Sequence, residues 1–211
     1  MKRYFSFTLV EILAVTVLVS LLAAIGFAGY GYAMNASRRS ATESLIQQIS
    51  AGLENFKIKN GYYPLAEETS GKEVGLLIGV YENNGIIERI VLIEKEKDKQ
   101  PSKVEASTAP SSKGTVLNKN SAGLKSFLKN LDQEKLKKNL DGNGYLVDSW
   151  GGYIRYRYPG SVNKTGFDLL SAGSDGKFGK DSKDYPLDDI KEYKDDSGEW
   201  ACDDISNFMD K

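Results

Sequence analysis

The 211-residue chain contains no histidine and one cysteine, Cys202. The first absence removes imidazole general-base catalysis, Ser-His-Asp triads and histidine-ligated zinc. The second excludes an intrachain disulfide and any CxxC redox or metal pair. Neither sign of charge dominates: 28 Lys and Arg stand against 29 Asp and Glu, for a net charge of −1. No nucleic-acid partner is therefore expected. An enzyme could still work with carboxylates or lysine, but the usual toolkit is thin, and a non-enzymatic role is the expectation. The remaining composition, 40% hydrophobic and 27% charged, is that of a globular protein. The length suits one domain with a core, plus a tail or an anchor.

The N-terminus carries the most information. Lys2 and Arg3 precede an uncharged run from Ile12 to Met34, 23 positions long. At a rise of about 1.5 Å per residue such a helix spans about 35 Å, against about 30 Å for a hydrocarbon core. The basic residues keep the N-terminus cytoplasmic and send the remainder outward. Glu11, at the entrance to the run, costs about 2.5–3.5 kcal/mol at a helix centre on insertion scales, which marks it as functional by default. The alternative is a secretory signal peptide, for which Gly26-Phe27-Ala28 offers small residues near a cleavage position. The run is longer than the usual apolar region of such peptides, and they gain nothing from Glu11.

Ser6-Phe7-Thr8-Leu9-Val10-Glu11 resembles the processing and N-methylation motif of type IV prepilins and type II secretion pseudopilins. The resemblance implies a leader over residues 1–6, cleavage between Ser6 and Phe7 by a prepilin peptidase, and N-methylation of Phe7. It also implies a transmembrane and assembly half of the helix over 7–34, with Glu11 as the assembly residue. The position before the cut is usually Gly in that family and is Ser6 here. Once Phe7 is N-terminal, its ammonium and the Glu11 carboxylate are opposite charges in a layer of low dielectric. A pair between neighbouring subunits neutralises both and sets axial register.

The helix is expected to continue over residues 35–60 as an amphipathic half. Ala41, Leu45, Ile49, Leu53 and Phe56 recur at three- to four-residue spacing, with Arg38, Arg39, Glu43, Gln47, Gln48 and Glu54 between them. The apolar stripe needs a partner, for which a sheet is the natural candidate. Asn60-Gly61 and then Pro64 read as the stop. Gly61-Tyr62-Tyr63-Pro64 resembles a segment that follows the long helix in many pseudopilins.

Residues 61–144 read as a variable αβ region. Ile86–Ile93 permits a strand, with a short helix as the alternative. Residues 95–123, rich in Lys, Ser, Pro, Ala and Thr, read as a mobile surface insertion. Leu124, Phe127, Leu128 and Leu131 suggest a short helix. Asp132 caps another that ends near Leu140, before the turn-rich Asp141-Gly142-Asn143-Gly144.

Residues 145–211 read as a sheet and an acidic C-terminal loop. Tyr153–Tyr158 alternates, with Ile154, Tyr156 and Tyr158 on one face and Tyr153, Arg155 and Arg157 on the other. Phe167–Ser171 supplies a second strand, and the two form an antiparallel hairpin. Asp148-Ser149-Trp150-Gly151-Gly152-Tyr153, Phe167–Gly179 and the closing Asp203-Asp204-Ile205-Ser206-Asn207-Phe208 resemble blocks of the type II secretion major pseudopilins. In that family the C-terminal loop holds calcium. The resemblance, together with the density of hard oxygen donors, implies Asp175, Asp181, Asp184, Asp188, Asp189 and the Leu170 carbonyl as ligands. The spacing does not match an EF-hand loop, and a solvated acidic loop is the alternative.

The fold class expected is α+β, type IV pilin-like: a long N-terminal helix packed on a small antiparallel β-sheet. The function implied is a structural subunit of a type II secretion-type pseudopilus. Its partners would be a homo-oligomeric filament of pilin-like subunits, the prepilin peptidase, an inner-membrane assembly platform and the membrane itself. The chain would pass once through the cytoplasmic (inner) membrane, with the C-terminal domain periplasmic. A type IV pilin serving adhesion, motility or DNA uptake, or a membrane-tethered extracytoplasmic binding domain, are the alternatives.

Overall fold

A computed structural model describes residues 8–64, 76–94, 100–109, 116–180, 193–197, 199–200 and 202–209. The chain divides into two compact units, Met1–Arg38 and Arg39–Lys211. Helix α1, Leu9–Asn60, contributes to both.

Among the described residues of the first unit, the large apolar side chains of α1 from Leu9 to Tyr32 are exposed. Leu13, Leu18, Leu22 and Ile25 all remain more than half exposed. The hydroxyls satisfy themselves on the helix's own backbone: Thr16 donates to the Leu13 carbonyl and Ser20 to the Thr16 carbonyl, at 2.9 and 2.8 Å. That local closure is what an apolar environment demands of a polar side chain. Among the described residues, α1 is the one helix long and apolar enough to cross a membrane, judged by length and composition.

In the second unit the same helix turns amphipathic. Leu45, Ile49, Leu53 and Phe56 are buried as the spacing predicts, joined by Thr42 and Ile46. Ala41, expected on this stripe, is exposed, because the buried face runs through Thr42 one position on. The helix stops at Asn60, where Gly61 adopts φ +85° and its N–H donates to the Lys57 carbonyl at 2.7 Å. That positive φ favours glycine and closes the last turn.

Six strands follow: β1 (Leu76–Asn83), β2 (Ile86–Glu94), β3 (Val116–Asn118), β4 (Arg155–Arg157), β5 (Asp168–Ser171) and β6 (Ile205–Ser206). They form one sheet in the order β3-β2-β1-β4-β5-β6, antiparallel throughout. The Ile86–Ile93 stretch is thus a strand. It is joined to β1 by a two-residue turn in which Asn84 and Gly85 have φ of 51° and 77°, the left-handed pair such hairpins require. The expected hairpin of β4 and β5 forms, with Tyr156 opposite Leu169.

Alternation along the strands makes two layers of packing. Leu76, Ile78, Val80, Ile90, Leu92, Ile154, Tyr156 and Leu169 bury against the α1 stripe. Leu77, Val91 and Tyr145 pack with Val104 in a separate cluster. Within the 95–123 segment, read from composition as a surface insertion, Val104 is therefore buried, and β3 pairs with β2 through Val116↔Val91 and Leu117↔Ile90. Isolated apolar residues anchor this segment, and composition averaged over a stretch does not register them.

Helix α2 (Ala122–Phe127) and helix α3 (Gln133–Lys138) lie between β3 and β4. Ser121 Oγ accepts from Leu124 N–H at one N-terminus, and Asp132 Oδ1 accepts from Lys135 N–H at the other. The cap expected at Asp132 is present. Gly52 on α1 lets α2 approach, since a Cβ there would lie 2.9 Å from the Phe127 carbonyl oxygen.

Candidate functional site

Two groups of polar residues stand out from the packing. The first is at the start of α1. Glu11 Oε2 accepts from both the N–H and the hydroxyl of Thr8, at 2.8 and 2.9 Å, and Thr8 Oγ1 accepts from Glu11 N–H at 3.2 Å. This is a reciprocal cap spaced three residues apart, and it satisfies donors that a helix N-terminus otherwise leaves open. Ser6 and Phe7, the expected processing residues, lie outside the described residues.

The second group is the C-terminal acidic region. Leu170, expected to offer a carbonyl, is buried in β5 between Arg155 of β4 and Ser206 of β6. Asp175 is exposed, and its Oδ1 accepts from Lys177 N–H at 2.8 Å in a tight turn. Asp181, Asp184, Asp188 and Asp189 lie outside the described residues.

The structure instead brings Asp203 and Asp204 to the Ser171–Gly179 loop. Asp203 Oδ2 accepts from Ser174 N–H at 2.6 Å, from Ser174 Oγ at 2.5 Å and from Asp175 N–H at 3.1 Å. Burial raises the Asp203 pKa, but these donors outweigh it and hold the carboxyl below its usual value. Asp204 Oδ2 accepts from Gly179 N–H at 2.6 Å, whereas its Oδ1 is buried without a hydrogen-bond partner. Burial first, then the neighbouring Asp203 and Asp175 carboxylates, push Asp204 up to about 7. The carboxylate lines a cavity of about 600 Å³, together with Arg39, Ser50, Trp200 and Cys202.

In the sequence Asp203-Asp204 stands out only as part of a closing motif. The usable signal was their place immediately before a short apolar strand, which pins them beside the loop that β5 feeds. Among the described residues no group of three Asp, Glu or Cys side chains is already gathered as a metal site. What this loop offers a hard cation is one buried carboxylate oxygen without a hydrogen-bond partner, Asp204 Oδ1, near the Asp203 and Asp175 carboxylates.

The region also has an apolar support. Leu170, Ala172, Phe178 and Tyr193 form a small separate core, flanked by Val162, Trp200, Cys202, Phe208 and Met209. This core ties down the tail in the absence of a disulfide. The Cys202 thiol donates to the Tyr193 carbonyl at 3.7 Å, and burial together with the Asp204 carboxylate pushes it to about 12. The thiol is therefore protonated and unreactive at neutral pH.

Residues 115–190 match the family described as Type II secretion system (T2SS), protein G. The chain is also 24% identical over 190 residues to the "Type II secretion system core protein G" of Pseudomonas aeruginosa, covering 88% of this chain and 94% of that one. No solved structure matches. The family match spans β3 to the acidic loop, and the relative extends the likeness across most of the chain. With an α+β fold in which a long helix packs on an antiparallel sheet, the chain resembles the type IV prepilin and type II secretion major pseudopilin family, as its sequence motifs imply.

Proposed function

We propose that this chain is a structural subunit of a type II secretion-type pseudopilus. The observation that carries the reading is the division of α1. Its first half presents apolar side chains to the surroundings, and the apolar stripe of its second half is buried in the core shared with the sheet. A helix of this kind can sit in lipid as a precursor and afterwards pack among neighbouring helices, which in a membrane associate through close packing. Prepilin peptidase would cleave between Ser6 and Phe7 and methylate Phe7, and an inner-membrane platform would extract the subunit into a homo-oligomeric filament. In the precursor Thr8 satisfies Glu11. In the filament the new N-terminal ammonium of a neighbour would take over that role.

Calcium at the C-terminal loop belongs to the same proposal. Asp204, Asp203 and Asp175 are the described residues that would hold it, and Asp181, Asp184, Asp188 and Asp189 remain candidates from the sequence. The ion would supply the positive charge and hard-acid coordination that Asp204 Oδ1 lacks, ordering the loop around it. No catalytic role is assigned to any residue.

Mass spectrometry of the mature N-terminus tests the reading. N-methylated Phe7 as first residue supports it. An intact Met1 would favour a membrane-tethered binding domain, and cleavage near Ala28 a secreted protein. Surface filaments in place of a periplasmic pseudopilus would favour a type IV pilin. For calcium, a melting temperature unchanged between calcium and chelator would remove that part, because a ligand held by the folded form alone must raise it.

A further inference from the structure

Asp148 is 3% exposed, and its carboxylate is occupied on both oxygens. Oδ1 accepts from Trp150 N–H at 2.9 Å and Gly152 N–H at 2.8 Å, and Oδ2 accepts from Ser171 Oγ at 2.6 Å. The carboxylate sits so close over the turn that a Cβ on Gly152 would lie 2.8 Å from Oδ2.

The contacts on either side of Asp148 connect helix α1 with the loop after β5. Next along the chain, Ser149 N–H donates to Thr42 Oγ1 at 3.1 Å, and the Thr42 hydroxyl donates to Ser149 Oγ at 3.1 Å. Thr42 is a buried residue of α1. On the other side Ser171 Oγ, having donated to Asp148, accepts from Gly173 N–H at 3.2 Å. Gly173 has φ +65°, and any side chain there would run into the Asp203 carbonyl. That same carbonyl accepts from Arg39 Nη1 at 3.3 Å. From Thr42 of α1 the links run to Ser149, along the chain to Asp148, and by hydrogen bonds to Ser171 and Gly173; Gly173 lies against the Asp203 carbonyl by close approach alone, and Arg39 of α1, one turn before Thr42, donates to that carbonyl separately. The buried members, Thr42, Asp148 and Ser171, are all hydrogen-bonded, and a satisfied buried polar network rigidifies the segments it joins.

We propose that Asp148 is a positioning residue that sets the Ser171–Gly179 loop from helix α1, coupling cation loading of that loop to the helix face at Arg39 and Thr42. The coupling half rests on the calcium reading above; the positioning half does not. By linkage, whatever the helix face gains or loses on packing against a neighbour is felt as calcium affinity, and the reverse. Asp148 and Thr42 would act on the ion through other groups, as outer partners of metal sites do, and losing such partners typically costs about 10–100-fold in affinity.

The test uses the full chain in detergent micelles, with Thr42→Val, Thr42→Ser and Asp148→Asn. Hydrogen exchange in chelator reads the amides of Gly173 and Ser174, with Leu169 in β5 as the internal control for folding. Thr42→Val and Asp148→Asn are expected to speed loop exchange about tenfold or more while Leu169 stays slow, and Thr42→Ser to restore it. Calcium titration calorimetry on the same proteins is expected to show affinity falling about tenfold or more for Thr42→Val and recovering in Thr42→Ser. If Asp148→Asn unfolds, fast Leu169 exchange reveals it and Thr42→Val decides. Wild-type loop exchange in Thr42→Val would overturn the positioning role. Wild-type calcium affinity in Thr42→Val would overturn the coupling. No calcium heat with the unmodified chain would overturn the calcium reading and the coupling with it, while the exchange data still judge the positioning.

Discussion

Glu11 and Thr8 satisfy each other: one carboxylate oxygen takes both donors of Thr8, whose hydroxyl oxygen in turn accepts from the Glu11 amide. The carboxylate that the proposed assembly contact requires is therefore also a helix cap. The two roles separate by substitution. Glu11→Gln keeps an acceptor for Thr8 but removes the charge, so it is expected to preserve the helix start and abolish filament assembly. Thr8→Ala removes the cap, at about 0.5–2 kcal/mol of local helix stability, and is expected to reduce assembly only partially. The amount of sheared filament recovered from cells checks both, and wild-type filament from Glu11→Gln would end the ion-pair account.

Asp204 makes stability depend on pH in a known direction. Its folded pKa is raised to about 7 from an ordinary 3.8. The folded form therefore holds a proton that the unfolded form has already lost, and the contribution, complete below about 4, disappears as pH rises through about 7. At about 1.36 kcal/mol per unit the effect is on the order of 4 kcal/mol at most. In chelator, Asp204→Asn is expected to be more stable than the wild type at pH 8 and about equal to it at pH 4. Calcium should narrow the difference at pH 8, since metal competes with the proton. Urea melts at the two pH values measure this, and a difference independent of pH would contradict the burial argument.

Two isoleucines of α1 should respond very differently to truncation. Ile49 is fully buried in the core shared with the sheet, and Ile58, about two and a half turns later and so on the opposite face, is 82% exposed. Ile49→Ala is expected to cost about 2–5 kcal/mol, and Ile58→Ala less than about 0.5 kcal/mol. Thermal melts of the two variants give the comparison directly.

Gly52 offers a test of packing against propensity. Alanine is the better helix former by about 1 kcal/mol. A Cβ at this position, however, would lie 2.8 Å from Leu131 Cδ1 and 2.9 Å from the Phe127 carbonyl oxygen. Gly52→Ala is therefore expected to destabilise by about 1–3 kcal/mol, the usual range for overpacking, and a melt showing stabilisation would mean that α2 moves aside freely.

Local chemistry was legible where a single side chain or a short period decides the outcome. The stop of α1 at Asn60-Gly61, the Asp132 cap, the β4–β5 hairpin and the buried stripe of Leu45, Ile49, Leu53 and Phe56 all belong to that class. Strand β1 has no counterpart among the sequence expectations, although Asn84-Gly85 between two apolar runs is a hairpin signal that the residues do contain. The choice of strand over helix for Ile86–Ile93 was open, because a short apolar run fits either period until a partner strand settles it.

By itself, the sequence determined the membrane-length helix, its amphipathic continuation and the exclusion of histidine, disulfide and paired-cysteine chemistry. Each follows from residue identity and spacing within a few turns of chain. Tertiary structure alone decided which carboxylates meet at the C-terminal loop. Asp203 and Asp204 reach Ser174 and Gly179 from 25 or more residues away, and Thr42 reaches Ser149 across 107. Such contacts are set by the order of strands in the sheet and by the closing of long loops, which no local pattern encodes.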